Sequence, residues 1–248
     1  MLAIYKKELR SYFINPIGYV FLGIFLAVSA LLCCYTTIVS GTYDTSNYFF
    51  FLTLTFVILI PLLTMRLFAE EKKLRTEQLL LTAPVSITGM VLGKFLAAFT
   101  IFGGAMIVSC INFIPLYVTA AIERPTAAYE FYRIGPATGE IVGCVVCLIL
   151  IGAAFIAIGT FISSLTENQL AAAVITITVI FAMLGISLLN NYISVYWLRT
   201  VLSWVSVYSR FAPFANGIFD FASILYLVSL SFAFLFLTVR VYEKRRWS

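Results

Sequence analysis

Residues 141–165 read IVGCVVCLILIGAAFIAIGTFISSL, and this stretch contains no charged side chain. A helix needs about 20 predominantly apolar residues to cross a bilayer, so the stretch is long enough to span one. Five further charge-poor stretches of similar length occur along the chain. Counted together, the predicted membrane spans are 17–39, 48–66, 95–121, 140–165, 169–190 and 219–241. The sequence therefore predicts an all-α membrane protein in which residues 1–248 form a single transmembrane domain of six helices.

The composition of the whole chain supports this fold class. Of the 248 residues, 62% are apolar and only 11% are charged, and the mean hydropathy is +1.04. Soluble domains average about 45–50% apolar and about 25% charged residues. The chain has too few charged residues to cover a water-facing surface, which excludes a soluble globular protein, a disordered protein and a coiled coil. Its net charge of +5 is not a nucleic-acid signal, so we expect no nucleic-acid partner.

Few residue types suited to catalysis are present. The chain has no histidine, which removes Ser-His and Cys-His catalysis and histidine-based metal sites. Its five cysteines lie in apolar stretches, and Cys144 and Cys147 form a CxxC without a second pair. Packing as small apolar residues is the favoured interpretation of these cysteines, and redox or metal chemistry is the alternative. We therefore predict no catalytic, cofactor-binding or metal-binding residues, and no enzymatic activity, in this chain.

Two further patterns bear on the use of ATP and of ion gradients. Residues 89–94 read GMVLGK and are followed by Phe95, whereas a Walker A motif needs four residues between its glycines and a Ser or Thr after the Lys. If ATP is used, a separate subunit must therefore bind it. No predicted span carries an ionisable residue at its centre, and such residues normally mark ion and proton pathways. This pattern argues against a proton- or sodium-coupled transporter.

The placement of Lys and Arg predicts the topology. With the N-terminus inside, the inner segments hold 12 of the 16 Lys and Arg residues and the outer segments hold the other 4. Cytoplasmic loops of membrane proteins carry such an excess. An even number of spans puts both termini on one side, and both ends of this chain are basic. We expect a multi-pass protein of the cell inner or plasma membrane, with both termini in the cytoplasm.

Two segments outside the spans have patterns of their own. Residues 1–16 place apolar and charged side chains on opposite faces of a helix, which predicts an interfacial amphipathic helix. The alternative is a basic flank that only sets the topology. The outer loop 191–220 is rich in aromatic residues, which favours a re-entrant segment between the fifth and sixth helices. The alternative there is an aromatic belt at the membrane interface.

Small residues recur along the fourth predicted span. Residues of this kind let two helices approach closely within a membrane. The pattern predicts close helix packing, although it does not name the partner helix. The residues concerned are Gly139, Gly143, Gly152, Ala153, Ala157 and Gly159.

The loop 69–94 between the second and third spans is the one long cytoplasmic loop. Charged residues at 70–73 continue the second span, and residues 76–81 then combine polar positions with three leucines. Pro84 ends any helix there, and Ser86 is a candidate cap for the next helix. A short helix that presents leucines outside the membrane needs a surface to bury them. A groove on a cytoplasmic partner is one such surface, and the inner leaflet is the other.

The same region carries a resemblance to a known family. Residues 66–97, RLFAEEKKLRTEQLLLTAPVSITGMVLGKFLA, resemble the signature of ABC-2 type transporter permeases. Residues 214–247, FANGIFDFASILYLVSLSFAFLFLTVRVYEKRRW, and residues 5–21, YKKELRSYFINPIGYVF, are similar to the gliding-motility-type subgroup of these permeases. The matching stretches touch both ends and the middle of the chain, and the six-span count agrees with the family.

The resemblance implies a function and a set of partners. Such a chain is the transmembrane permease subunit of an ATP-driven ABC-2 type transporter, in which a dimer of separate ATPase subunits binds the ATP. A second permease subunit, identical or different, completes the membrane path. The loop between the second and third spans acts as a coupling helix that sits in a cleft of the ATPase. Carried over to this chain, the interface residues are Glu70, Glu71, Lys72, Arg75, Thr76, Glu77, Leu79, Leu80 and Pro84.

The resemblance also implies roles within that loop. Glu77 would make the polar contact with the ATPase, Leu79 and Leu80 would be the buried anchor, and Pro84 would end the helix. Residues 1–16 would match the family's connector helix, and the loop 191–220 its outer re-entrant hairpin. The family usually has Gly where this chain has Arg75, and Arg favours a continuous helix at that point.

Two other functions remain open at this level. One is a membrane scaffold, or mechanotransmission subunit, of an ABC-type envelope machine that moves no substrate. The other is a secondary transporter, which would need charged or discontinuous helices at mid-membrane. The substrate and the direction of transport do not follow from the residues.

Overall fold

A computed structural model of the protein describes residues 1–78, 86–123, 135–189, 197, 202 and 206–247. Every regular element of these ranges is helical. In chain order the helices are α1 Leu2–Ile14, α2 Pro16–Cys33, α3 Ser46–Thr64, α4 Ala69–Lys73, α5 Ile87–Ser109, α6 Ile114–Glu123, α7 Thr138–Leu165, α8 Gln169–Leu189, α9 Tyr208–Ala215 and α10 Phe221–Trp247. A π-helical turn, Cys34–Val39, extends α2, and a 3-10 turn, Cys110–Phe113, joins α5 to α6.

Six stretches of helix in the described ranges are long and apolar enough to cross a membrane, which confirms the predicted number of spans. Their bounds are Pro16–Val39, Ser46–Lys73, Ile87–Ile122, Thr138–Leu165, Gln169–Ile186 and Phe221–Arg246. The protein is therefore an all-helical, multi-pass membrane protein.

Helix α7 lies at the centre of the bundle and packs against α3, α5, α8, α9 and α10. Its sequence is apolar on every side, and a helix of that kind is normally buried all round. Gly152 lies so close to Phe102 of α5 that an added Cβ would be 2.1 Å from the ring. A Cβ on Gly159 would be 2.2 Å from the Thr64 hydroxyl of α3. The predicted close packing is confirmed at these two glycines, and its partners are α5 and α3.

The first two glycines of α7, Gly139 and Gly143, do not lie at close helix contacts. A Cβ added to Gly139 would meet open space, and one added to Gly143 would make only an ordinary contact, 3.7 Å from the Phe214 ring. The GxxxG spacing at the start of the helix is thus not where the helices approach most closely. The sequence alone cannot show which glycines lie at a close helix contact, because all four are small residues on an apolar helix.

An aromatic cluster joins three other helices next to α7. The rings of Phe25 on α2, Phe56 on α3 and Phe102 on α5 lie with centroids 5.1–6.4 Å apart. All three side chains are fully buried. Phe102 meets both other rings edge-to-face, while Phe25 and Phe56 are stacked, and aromatic pairs of either kind contribute about 0.5–1.5 kcal/mol each beyond the area they bury. The cluster holds α2, α3 and α5 together beside the flat surface that Gly152 provides.

The turn between α1 and α2 follows from its sequence. Asn15 is extended, and Pro16 is the first residue of α2, a position where its missing N–H leaves no donor unsatisfied. Helix α1 packs on α5 and α2, with Ile4 and Tyr12 buried. The opposite face of α1, which includes Lys6 and Arg10, is exposed.

The far end of the bundle carries α9 and the start of α10. Phe211 and Phe214 of α9 are buried, and the helix packs on α7. Asp220 caps α10 by accepting from the backbone N–H groups of Ala222 and Ser223, at 3.1 and 3.2 Å. The hydroxyl of Ser223 also donates to it, and these bonds lower the pKa of the Asp220 carboxyl. Of the predicted re-entrant segment 191–220, residues 191–196, 198–201 and 203–205 lie outside the described residues.

Candidate functional site

The candidate coupling region begins where α3 ends. A turn at residues 65–68 leads into the short helix α4, which has acidic residues in its first turn and Lys72 and Lys73 in its last. This order of charges complements the helix dipole. We refer to residues 66–78 as the coupling segment, and to the bundle end that holds it as the charged end.

Arg75 ends α4 in a left-handed conformation, with φ +56°. Its N–H donates to the Lys72 carbonyl and the N–H of Thr76 donates to the Glu71 carbonyl, both at 3.0 Å. These are the two bonds of a Schellman motif, in which the left-handed position is usually Gly. The helix therefore ends at Arg75, although the helix propensity of Arg by itself favours continuing it. The turn of the chain overrides the helical preference of Arg75. The residue instead adopts the left-handed geometry that Gly adopts most readily.

Lys94 of α5 is the centre of the charged end, and its side chain is only 1% exposed. Its Nζ lies 3.1 Å from a carboxylate oxygen of Glu8 on α1 and 2.9 Å from one of Glu71 on α4. It also donates to the Leu67 carbonyl at 2.6 Å and lies 5.1 Å from the centre of the Phe68 ring. One buried ammonium thus joins α1, α5 and the coupling segment.

A second attachment connects the coupling segment to α7. The Ser163 hydroxyl accepts from the backbone N–H groups of Phe68 and Ala69, at 3.1 and 3.2 Å. It donates to the Met65 carbonyl at 3.2 Å. The first N–H groups of a helix have no partner within it, and Ser163 supplies one for α4 from another helix. Lys72, which is buried, donates to the Ser164 carbonyl at the same point of α7.

A third attachment connects the segment to α10. The Arg245 guanidinium lies 3.2 Å from a carboxylate oxygen of Glu77, and its carbon lies 5.5 Å from the centre of the Tyr242 ring. That ring, which is almost fully buried, packs on Phe68 with a centroid distance of 4.9 Å. The end of α10 therefore contacts the coupling segment through both an ion pair and an aromatic pair.

Helix α1 has a bond of its own to the end of α3. The Tyr12 hydroxyl donates to the Leu63 carbonyl at 2.7 Å. Burial raises the pKa of the Tyr12 phenol, so the group stays a neutral donor. Next to it, Arg66 pairs with Glu70 through two nitrogens, at 2.7 and 2.8 Å. Both contacts fix the start of the coupling segment.

The predicted interface residues divide into two groups. Glu71, Lys72 and Glu77 are largely covered and have partners within the chain, whereas Arg75 and Thr76 are exposed. Glu70 is partly exposed and paired with Arg66. Glu77 and Gln78 start a helical turn. Leu79, Leu80 and Pro84 lie outside the described residues.

Sequence reasoning missed several residues of this region. Lys94, Ser163 and Arg245 were not among the candidates, although they make the three attachments. The pair Gly93-Lys94 matches the end of the family signature and could have indicated Lys94. Nothing in the sequence indicated the residues that Lys94 contacts. Lys73 and Leu74 were also missed, and both are exposed beside Arg75.

The described ranges contain no group of three or more His, Cys, Asp or Glu side chains placed to hold a metal ion. The charged end instead combines buried ion pairs with backbone contacts across five helices. The coupling segment is therefore in direct contact with α1, α5, α7 and α10.

Comparison with known protein families shows which family this chain belongs to. The family described as ABC-2 family transporter protein matches residues 35–242, which include the coupling segment, α7 and the Tyr242 contact. The chain belongs to the ABC-2 transporter family. It is thus a multi-pass permease component of an ABC transporter, from a family that typically works with an ATPase partner. No curated protein matches the chain as a relative.

Proposed function

We propose that this ABC-2 protein is the transmembrane subunit of a transporter driven by a separate ATPase dimer. The ATPase binds the ATP, and this chain contributes no catalytic residue and no cofactor site. The ATPase docks at the charged end, on the coupling segment and its continuation through residues 79–85. In this proposal the charged end and both termini lie in the cytoplasm, and a second permease subunit, identical or different, completes the membrane path.

The attachments of the coupling segment carry the proposal. A partner that pushes on this segment acts on α1 and α5 through Lys94, on α7 through Ser163 and on α10 through Arg245. Helices α5, α7 and α10 are among the membrane spans, so a movement at the charged end reaches into the membrane. A loop that only connected two spans would not require these contacts with four other helices.

The exposed part of the segment is the surface that we assign to the ATPase. Leu74 is 64% exposed, and Lys73, Arg75 and Thr76 are exposed around it. An apolar side chain ringed by polar ones fits the pattern of a central contact with a polar rim. Within the family, the chain's terminal stretches are similar to the gliding-motility-type subgroup, and we assign it there.

The experiment is co-purification of the tagged protein from its native membrane in mild detergent. We expect a stoichiometric ATP-binding protein to accompany the wild type, and Leu74→Asp combined with Arg75→Glu to abolish its recovery. Leu170→Asp is the matched control, because Leu170 is equally apolar and 72% exposed, and it lies at the start of α8, beyond the end of α7. It should leave recovery unchanged.

Two results would contradict the proposal. One is a folded protein that purifies without any ATP-binding subunit. The other is equal recovery of that subunit with the double variant and the wild type, which would place the docking surface elsewhere.

A further inference from the structure

The outward face of α1 has a chemistry that the coupling role does not use. The face carries Lys6 and Arg10, one helical turn apart, and both side chains are exposed. The inward face of the same helix is taken up by α5 and α2, with Ile4 and Tyr12 buried. The two faces of α1 therefore have separate roles, one of packing and one of contact with the surroundings.

The cations on this face differ in their partners. Lys7 lies 3.6 Å from Glu8 and 3.5 Å from Glu71, so its charge is already balanced. Lys6 and Arg10 make no ion pair with any carboxylate of the described residues. Their Cβ atoms are about 5–6 Å apart, as in any pair four residues apart on a helix. Two unbalanced cations at that spacing can both reach the oxygens of one phosphate group.

Apolar side chains border these cations. Leu2 and Ile14 of α1 and Tyr19 of α2 are more than 60% exposed. Phe13 packs edge-to-face on Tyr19, with ring centroids 5.6 Å apart. A surface concavity of about 530 Å³ runs along α1, and three cations flanked by small or apolar residues line it: Ala3, Lys6, Lys7, Arg10, Ser11 and Ile14. Helices that lie in the headgroup layer of a bilayer combine Lys and Arg with large apolar side chains in this way.

We propose that the outward face of α1 is a binding surface for an anionic phospholipid, with Lys6 and Arg10 holding the headgroup phosphate. The apolar residues at the two ends of the face contact the acyl chains. Charge complementarity selects this occupant, because the face presents two unpaired positive charges and no unpaired carboxylate. Near an anionic membrane surface each Lys or Arg contributes about fivefold in affinity, so the pair contributes roughly 25-fold. This inference does not depend on ATP or on an ATPase partner.

The test uses the purified full chain in a neutral detergent with dioctanoyl phosphatidylglycerol, and with dioctanoyl phosphatidylcholine as the uncharged comparison. Binding is followed by native mass spectrometry. We expect the wild type to prefer phosphatidylglycerol, and Lys6→Gln with Arg10→Gln to abolish that preference, because both cations that contact the phosphate are lost. Phosphatidylcholine binding should not change. Added salt should reduce the preference of the wild type, since the contact is between exposed charges.

Two further variants make the outcome specific. Lys73→Gln with Arg75→Gln removes two exposed cations from the coupling segment at the same end of the bundle, and it should leave phosphatidylglycerol binding unchanged. Lys6→Arg with Arg10→Lys keeps both charges and should retain phosphatidylglycerol binding. If it does, the loss of binding in the Gln variant comes from the lost charges and not from a loss of fold.

Three results would overturn the proposal. The first is equal binding of the two lipids by the wild type. The second is an equal loss of binding in the coupling-segment control. The third is a change of oligomeric mass in the Lys6 and Arg10 variant with lipid binding intact, which would show that a second protein copy covers this face.

Discussion

The strongest prediction concerns Lys94, the buried ammonium at the charged end. Replacing it by Met keeps an unbranched chain of similar length and removes the charge. The variant loses the contacts with Glu8 at 3.1 Å and Glu71 at 2.9 Å, and the bond to the Leu67 carbonyl at 2.6 Å. Two carboxylates that are only 13% and 15% exposed are then left facing each other.

The size of the effect follows from that loss. Removing one partner of a buried ion pair destabilises a protein by about 3–5 kcal/mol, because the remaining charge stays buried without a partner. Lys7 lies 3.5–3.6 Å from both carboxylates and is 61% exposed, so it balances part of their charge. We therefore expect Lys94→Met to lower the free energy of unfolding by about 3 kcal/mol, at the low end of this range. For a chain of this size that corresponds to a fall in Tm of about 6–12 °C.

The assay is thermal unfolding of the purified protein in detergent, with a double-mutant cycle. Lys7→Met is the matched control, since exposed ion pairs contribute at most about 1 kcal/mol. Adding Glu71→Gln to Lys94→Met removes one of the unpaired carboxylates and should recover part of the lost stability, with a coupling energy of about 1–3 kcal/mol. If Lys94→Met were no more damaging than Lys7→Met, or if the cycle gave no coupling, the assigned role of Lys94 would be wrong.

Two further substitutions test the packing and the backbone. Gly159→Ala should lower the free energy of unfolding by about 1–3 kcal/mol, because its Cβ would be 2.2 Å from the Thr64 hydroxyl and α3 and α7 would have to separate. Gly185→Ala, which meets nothing within 4 Å, should have little effect on the Tm, and equal losses in the two variants would contradict the packing of α7 on α3. Arg75→Gly should raise the free energy of unfolding by about 0.5–1 kcal/mol, since the left-handed conformation costs an L-residue about 1–2 kcal/mol and Gly loses part of this gain through its freer unfolded state. A lower Tm for Arg75→Gly in the same assay would show that the Arg side chain makes a contribution larger than the strain.

Local patterns were enough for the number of membrane-spanning helices and for several of their ends. The turn at Pro16 and the cap at Ser86, whose hydroxyl accepts from the Gly89 N–H at 3.3 Å, follow from residues within one turn of the feature. The cap at Asp220 is equally local, although it was not predicted. Each depends on interactions over one to four residues, which a linear sequence displays directly.

The candidate site was only partly predictable, because many of its contacts join residues that are far apart in the sequence. The loop was recognisable from its charges and from the family resemblance, and six of the nine interface residues that were named lie in the described part of the coupling segment. Their partners were hidden, because Glu8 and Lys94 are 86 positions apart and Glu77 and Arg245 are 168 positions apart. The turn at Arg75 could not be decided from the sequence, because helix propensity counts a residue's own preference and not the direction in which the chain must continue.

The sequence by itself determined that this protein lies in a membrane, how many of its helices can cross it, and which cytoplasmic loop is the candidate for coupling. Hydrophobic runs and the charges that flank them settle these points, since transfer into lipid depends on each segment separately. Only the tertiary structure decided that Lys94 joins α1 to the coupling segment, that Ser163 completes α4, and that Gly152 and Gly159 are the points of closest approach. These features arise from pairs of distant residues, whose meeting depends on how all the helices pack around α7.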